Sequence, residues 1–274
     1  MTHRIQAVIL DWAGTVLDHG SRAPMGAFVE AFARFGVDIS IADARGPMGM
    51  AKRDHIRLVG TATAVAAAWR ARHGRDFDEA AIGAIFEVFE PLNVAAVEAH
   101  SALIPGAAAA LAWCAARGIR IGSTTGYTRP IMERLAPLAA AQGFVPEVMV
   151  CAGDLAAGRP APLQMWHAMA AMGVHPAHTV LKLDDTPPGI GEARAAGCWA
   201  AGVALTGNIT GLTVEELAAL DAPAREALRR SATETLLRAG AQEVVDSIAD
   251  LPALVERIEA RLARGERPGA WDAR

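Results

Sequence analysis

Three short stretches carry the residue types that could do chemistry. Residues 5–15 read Ile-Gln-Ala-Val-Ile-Leu-Asp-Trp-Ala-Gly-Thr, an apolar run that breaks abruptly into a carboxylate, a glycine and a hydroxyl. That is the pattern of a buried parallel strand delivering its last residues into a site at its carboxyl end. Asp11 is the residue delivered. A carboxylate there is suited to accept a phosphoryl group or to ligate Mg2+, with Gly14 and Thr15 as donors to anionic oxygens. The plainer reading is an Asp that caps the next turn. Two further stretches favour the site: Ser123-Thr124-Thr125-Gly126 and Asp184-Asp185 each follow an apolar run, and Arg159 lies beyond another.

The elements that must position these residues are legible from periodicity. Residues 119–123, 147–151, 179–183 and 199–205 read as strands, alternating with helical spacing over 106–117, 130–142, 162–172 and 190–196. This βαβα alternation specifies an α/β doubly wound parallel sheet, in which ligands bind beyond the carboxyl ends of the strands. Asp11, Thr125, Arg159 and Asp185 all fall there. Between residues 18 and 100 the pattern is helical throughout: 23–35, 41–44, 52–58, 62–73 and 78–99. A helix-only insert after the first strand reads as a cap. The expected organisation is a core of residues 1–19 and 101–274, a helical cap of 20–100, and a polar, frayed tail over 265–274. Within the core, 214–239 reads as two helices, 243–246 as an edge strand and 251–262 as a helix.

The chain has 274 residues, with 26 basic and 30 acidic side chains for a net charge of −4 and no basic block. That opposes a nucleic-acid surface and makes a small molecule the expected partner. Cys114, Cys151 and Cys198 are far apart and lack metal-ligand spacing, as expected of reduced thiols in apolar positions. The first strand begins almost at once, and the longest uncharged stretch, 101–116, is Ala-rich and contains Pro105 and Gly106. No membrane segment is expected, and the location expected is cytoplasmic.

Together Asp11, the Ser123–Gly126 hydroxyl motif and the Asp184-Asp185 pair resemble the haloacid dehalogenase superfamily, which implies a Rossmann-like core with an inserted all-helical cap domain. Most phosphatases of that group carry a second Asp two residues after the nucleophile, as acid for a leaving oxygen; here that place is Ala13. A carbon leaving group needs an electron sink instead, such as a lysine imine on a neighbouring aldehyde. The stretch Pro47-Met48-Gly49-Met50-Ala51-Lys52-Arg53-Asp54-His55 offers Lys52, with His55 three residues on, on the same helix face and so expected as a catalytic residue that moves protons for the amine beside it.

With these residues, and with Tyr127-Thr128-Arg129 and Gly158-Arg159-Pro160, the chain resembles the phosphonatase family over almost its whole length. The resemblance implies a homodimeric Mg2+ enzyme that splits phosphonoacetaldehyde into acetaldehyde and phosphate. It implies Asp11 as nucleophile and Mg2+ ligand, the Ala13 carbonyl and Asp185 as further ligands, and Lys52 as the imine-forming amine. Thr125 and Arg159 would bind phosphate; Met48, Gly49, His55 and Tyr127 would shape the cap side. One position departs from the superfamily pattern: Gly189 stands where an acidic residue often supports the metal, and the adjacent Asp184 is the candidate to compensate. The rivals are a phosphate-monoester phosphatase or sugar-phosphate mutase, opposed by Ala13 and Lys52, and a silent binding protein, opposed by the intact Asp11, Thr125, Arg159 and Asp185.

Overall fold

A computed structural model of the chain describes residues 4–269. Its centre is a six-stranded, wholly parallel sheet: β1 Ala7–Leu10, β2 Arg120–Thr128, β3 Val148–Ala152, β4 Val180–Asp184, β5 Trp199–Val203 and β6 Glu243–Val245, in spatial order β3-β2-β1-β4-β5-β6. The order reverses at β1, where β2 and β4 flank it, and a ligand crevice opens at such a reversal. Leu10 is in register with Ser123 on one side and Leu183 on the other. The residues that follow, Asp11, Thr124 and Asp184, therefore emerge side by side.

Helices cover both faces, as a buried parallel sheet requires. Val8 and Leu10 point into a cluster with residues of α6 Ala107–Ala116, α7 Arg129–Ala140 and α12 Leu251–Ala263. Ala7 and Ile9 point the other way, onto Met165, Ala168 and Met169 of α8 Leu163–Ala171. α9 Pro187–Ala195 and α11 Ala222–Arg238 meet over Ala200 through Ile190 and Leu236, and the short α10 Val214–Ala218 lies between β5 and α11 in the chain. The expected alternation is present. The second strand differs: expected to end at residue 123, it runs extended to Thr128 with a register shift against β3 between Thr124 and Thr128. This carries the hydroxyl motif past the sheet's edge while keeping its backbone held.

Between β1 and α6 lie α1 Ala23–Ala33, α2 Ile41–Arg45, α3 Lys52–Thr61, α4 Thr63–His73 and α5 Glu79–Ala99. They share their own apolar cluster, built on Phe28, Phe32, Ile56, Trp69, Ile85 and Phe89. α5 is long and apolar enough in length and composition to cross a membrane, with a mean hydropathy of 1.5, but Ile82, Ile85 and Phe89 on it are buried against the other helices of this block. A core helix meets the same criterion. The chain enters and leaves the block side by side: Leu17 bridges Leu103, and the Asp18 amide donates to the Ala102 carbonyl at 3.2 Å. Of the tail expected over 265–274, residues 265–269 are non-helical and 270–274 lie outside the described residues.

Candidate active site

Asp11 leaves β1 with its amide bonded to the Leu183 carbonyl, 3.1 Å, so its side chain is presented from a fixed backbone. Beside it stand Asp184 and Asp185, and ligand oxygens of all three carboxylates lie within 4.8 Å of one another. Burial and then the nearness of Asp184 push the Asp11 carboxyl up to about 6, and burial followed by Asp11 and Asp184 holds Asp185 well above the usual carboxylate range. Three buried carboxylates that repel one another are a donor set suited to a hard divalent cation. The wider balance agrees. Among the described residues, the buried carboxylates Asp11, Asp184, Asp185 and Glu192 outnumber the buried cations beside them, Arg159 and Lys182 of the core and Lys52 across the cleft. A divalent cation would relieve that imbalance.

The two core cations are pinned from several sides. Arg159 places Nη1 2.9 Å from Asp11 and 3.3 Å from Asp184, and Nε 3.1 Å from Glu192, while Nη2 donates to Thr124. Burial opposes its charge, but Asp184, Asp11 and Glu192 outweigh that and raise its pKa. Lys182 donates to Thr124 Oγ1 at 2.6 Å and lies 3.3 Å from Asp184 and 3.6 Å from Glu192. Breaking such a buried set by removing one partner strands the others. Asp185 is held separately: Thr15 Oγ1 donates to Oδ1 at 3.3 Å and the Asn208 amide to Oδ2 at 2.7 Å. A Cβ on Gly14, whose φ is +81°, would sit 2.2 Å from Asp185 Oδ2, so glycine is required for the carboxylate to take this place.

Gly189 acquires a physical explanation. A Cβ there would lie 2.0 Å from the Asp184 Cγ and Oδ2, so the Asp184 carboxylate occupies the room that a side chain at 189 would need. Asp184 is fixed there by the Thr186 amide and hydroxyl, at 3.0 and 2.7 Å. The two positions are expected to be coupled. Gly189→Ala should lower stability by about 1–3 kcal/mol, the usual cost of overpacking, and the same change should cost much less in an Asp184→Ala background. Urea denaturation of the four combinations measures this; additive losses would contradict the shared-space account.

The helical block supplies the opposite wall. Asp11, Ala13, Ser21, Met48, Gly49, Lys52, Thr125, Gly126, Tyr127, Arg159 and Thr186 line one cleft. Gly49 and Gly126 face each other as bare backbone: a Cβ on Gly126 would come 2.8 Å from the Met50 carbonyl, and one on Gly49 would come 2.2 Å from Thr186 Oγ1. Thr125 Oγ1 accepts from the Tyr127 amide at 3.1 Å, leaving its proton free to donate into the cleft. Lys52, at the start of α3, is buried between aromatic faces, with Nζ 5.0 Å from the Tyr127 ring centre, 5.6 Å from that of Phe28, and 3.8 Å from Met48 Sδ. Burial lowers its pKa to about 8 against the opposing pull of Asp11. It is thus an amine with a neutral fraction near neutral pH.

His55 is placed differently from a proton carrier. Its ring is fully buried, stacked on Phe28 at 3.9 Å, and its Nε2 lies 2.7 Å from the Ala44 carbonyl, which makes Nε2 the protonated nitrogen. Burial, then the charge of Lys52, lowers its pKa to about 3. The neutral ring ties α3 to α2, and only Nδ1 is left to exchange a proton. All ten residues singled out in sequence meet at or beside this cleft. Lys182, Glu192 and Thr124 were not singled out for roles, although a lysine inside the apolar run of β4 is a signal, because a cation buried in a central strand has to be paired.

The sheet order, the carboxylate cluster at its reversal and the helical insert define a class. The family model described as haloacid dehalogenase-like hydrolase matches residues 5–197, and the chain belongs to that family. Among curated proteins it is similar to the phosphonoacetaldehyde hydrolase of Paraburkholderia phytofirmans, 51% identical over 96% of this chain and 99% of that one. The phosphonoacetaldehyde hydrolase of Paraburkholderia xenovorans is 50% identical with the same coverage. A crystal structure of a phosphonoacetaldehyde hydrolase-like protein from Oleispira antarctica superposes with a TM-score of 0.95 at 38% identity, covering 96% of each chain.

Proposed function

We propose that this chain hydrolyses the carbon–phosphorus bond of phosphonoacetaldehyde, giving acetaldehyde and phosphate. One observation carries the reading: a buried amine with a lowered pKa, Lys52, faces a buried carboxylate, Asp11, across a cleft where Ala13 offers no acid to a leaving oxygen. The full-length relatives bearing that activity in their names support it. In this reading residues 20–100 act as a cap domain over a core of 1–19 and 101–274.

Neutral Lys52 adds to the aldehyde carbon and, with loss of water, forms an imine that is protonated on nitrogen. Asp11 then attacks phosphorus. The P–C bonding pair moves into a C–C double bond as the iminium becomes an enamine, so nitrogen rather than carbon receives the electron density. Protonation of the enamine carbon and addition of water release acetaldehyde and restore Lys52; a second water hydrolyses the phosphoaspartate. Thr125 and Arg159 hold phosphate oxygens. His55 fixes α3 against α2 and so positions Lys52. Asp11, Asp185 and the Ala13 carbonyl would hold Mg2+, which neutralises phosphoryl charge so that an anionic nucleophile can approach. We further infer a homodimer in the cytoplasm; the three buried cysteines, all free thiols, accord with a reducing compartment.

Incubation with phosphonoacetaldehyde and Mg2+ should release acetaldehyde and phosphate in equal amounts. Phosphate release from a panel of phosphate monoesters without acetaldehyde from the phosphonate would overturn the reading. The amine sets the pH dependence. Only neutral Lys52 can add to the aldehyde, and with a pKa of about 8 its neutral fraction is about a tenth at pH 7. The rate of borohydride trapping should therefore climb nearly tenfold from pH 6 to 7, less steeply to pH 8, and level off above it. A pH-independent trapping rate between 6 and 9 would remove Lys52 as the reacting amine.

A further inference from the structure

Lys52 and Asp185 belong to opposite walls of the cleft, yet outside it polar contacts, carried through α3 and the adjoining Ala44 and Arg45, link the elements that hold them. On the helical side, His55 on α3 holds the Ala44 carbonyl of α2 at 2.7 Å. The next residue is Arg45. Its Nη1 donates to the Gly20 carbonyl at 3.1 Å, to the Asn208 carbonyl at 2.6 Å and to Asn208 Oδ1 at 3.3 Å, and Asn208 Nδ2 donates back to the Arg45 carbonyl at 3.2 Å. Its guanidinium lies flat on Gly211, where a Cβ would stand 2.4 Å from Cζ. The Asn208 amide then donates to Asp185 Oδ2 at 2.7 Å.

We propose that Arg45 and Asn208 form a closure latch, a pair of positioning residues that make the metal-ligating orientation of Asp185 depend on the helical block being seated over the cleft. The inference rests on the function proposed above, in which Lys52 must come down onto a substrate held by the core. Three features argue for a latch rather than general stabilisation. Of the three acceptors of the guanidinium, two belong to Asn208 in the loop after β5, and the third, the Gly20 carbonyl, stands at the very start of the block ahead of α1, so none lies on the helices that carry Arg45 and Lys52. Asn208 is gripped on both sides of its Cα, its carbonyl and side chain by Arg45 and its amide by Asp185, so release of Arg45 frees the residue, and with it the amide, to turn away from the carboxylate. Finally, the loop carrying Asn208 is fitted against Asp185 itself, since a Cβ on Gly207 would fall 2.4 Å from the Asp185 Cβ. A movement of Asn208 is thus a movement at Asp185.

Coupling of this kind is reciprocal: if closure orients Asp185, a cation bound at Asp185 favours closure by the same factor. The test uses Mg2+ alone on the full chain. In the wild type, Mg2+ should slow amide hydrogen exchange both in residues 204–211 and in residues 41–50. In Arg45→Ala it should slow the first segment and leave the second unchanged, with Mg2+ affinity measured by calorimetry falling roughly five- to tenfold, within the usual range of coupling between sites. Asn208→Ala keeps the backbone amide and should lose less; Arg45→Lys, with a point charge in place of the planar fork, should recover only part. Melting temperatures within a few degrees of wild type would establish that the variants fold, and where Arg45→Ala does not, Asn208→Ala carries the same comparison. Equal Mg2+ protection of 41–50 in wild type and variants, or unchanged affinity, would overturn the latch. None of these readings requires phosphonate turnover, so failure of the proposed activity would appear separately, as a wild type that releases no acetaldehyde.

Discussion

Lys52→Arg is expected to abolish turnover of phosphonoacetaldehyde, by roughly 10³-fold or more, although the positive charge is kept. A guanidinium stays protonated at every accessible pH and cannot form the imine. Without the imine the departing carbon has no acceptor for its electrons. The companion result is chemical: borohydride added with phosphonoacetaldehyde or acetaldehyde should inactivate the wild type irreversibly and leave a reduced two-carbon adduct on Lys52, and Lys52→Arg should take up none. Lys182 is the internal control. It is a second buried amine near the carboxylates, but its Nζ is engaged by Thr124, Asp184 and Glu192. Peptide mapping that found the adduct there, or none during turnover, would remove the imine mechanism.

Asp11→Asn should have a comparable effect for a different reason, with activity falling on the order of 10⁴-fold. The amide preserves volume but removes the nucleophile and a metal ligand together. It also removes one partner of Arg159, which keeps Asp184 and Glu192. The fold should survive, as a melting temperature near that of wild type would establish. Phosphate release within tenfold of wild type would mean that Asp11 is not the phosphoryl acceptor. The two variants also separate the half-reactions: Asp11→Asn should still be trapped by acetaldehyde and borohydride, because imine formation needs only Lys52.

What could be read in the sequence was what local pattern controls. The apolar runs before Asp11, Thr125 and Asp185 located the strands, and their abrupt polar ends pointed to the candidate cleft, because polar residues at the carboxyl ends of buried parallel strands fall where open α/β sheets bind ligands. The helical spacing between 23 and 99 was equally plain. What was not legible depends on contacts between residues far apart in the chain. Glu192 looks like an ordinary surface position of a helix until α9 is packed against β4, where it pairs with both Lys182 and Arg159. Arg45 ends a five-residue helix, and nothing local shows that it reaches Asn208. His55 suggested proton transfer through its spacing from Lys52; only the tertiary placement of the Ala44 carbonyl shows which nitrogen is committed. Gly189 read as an absence, whereas packing makes it the space that Asp184 fills.

The side-by-side crossing at Leu17 and Leu103 has a consequence for how such an enzyme can diversify. Because the chain leaves and re-enters the sheet at neighbouring points, the insert is attached as a bead on a closed loop, and its ends would stay in place if its contents were exchanged. In the mechanism proposed above, the phosphoryl-accepting half of the reaction would reside in the sheet, with Asp11, and the carbon-activating half in the insert, with Lys52. Descent with a different insert would therefore alter which bond is broken while the machinery for taking up phosphate passed on unaltered.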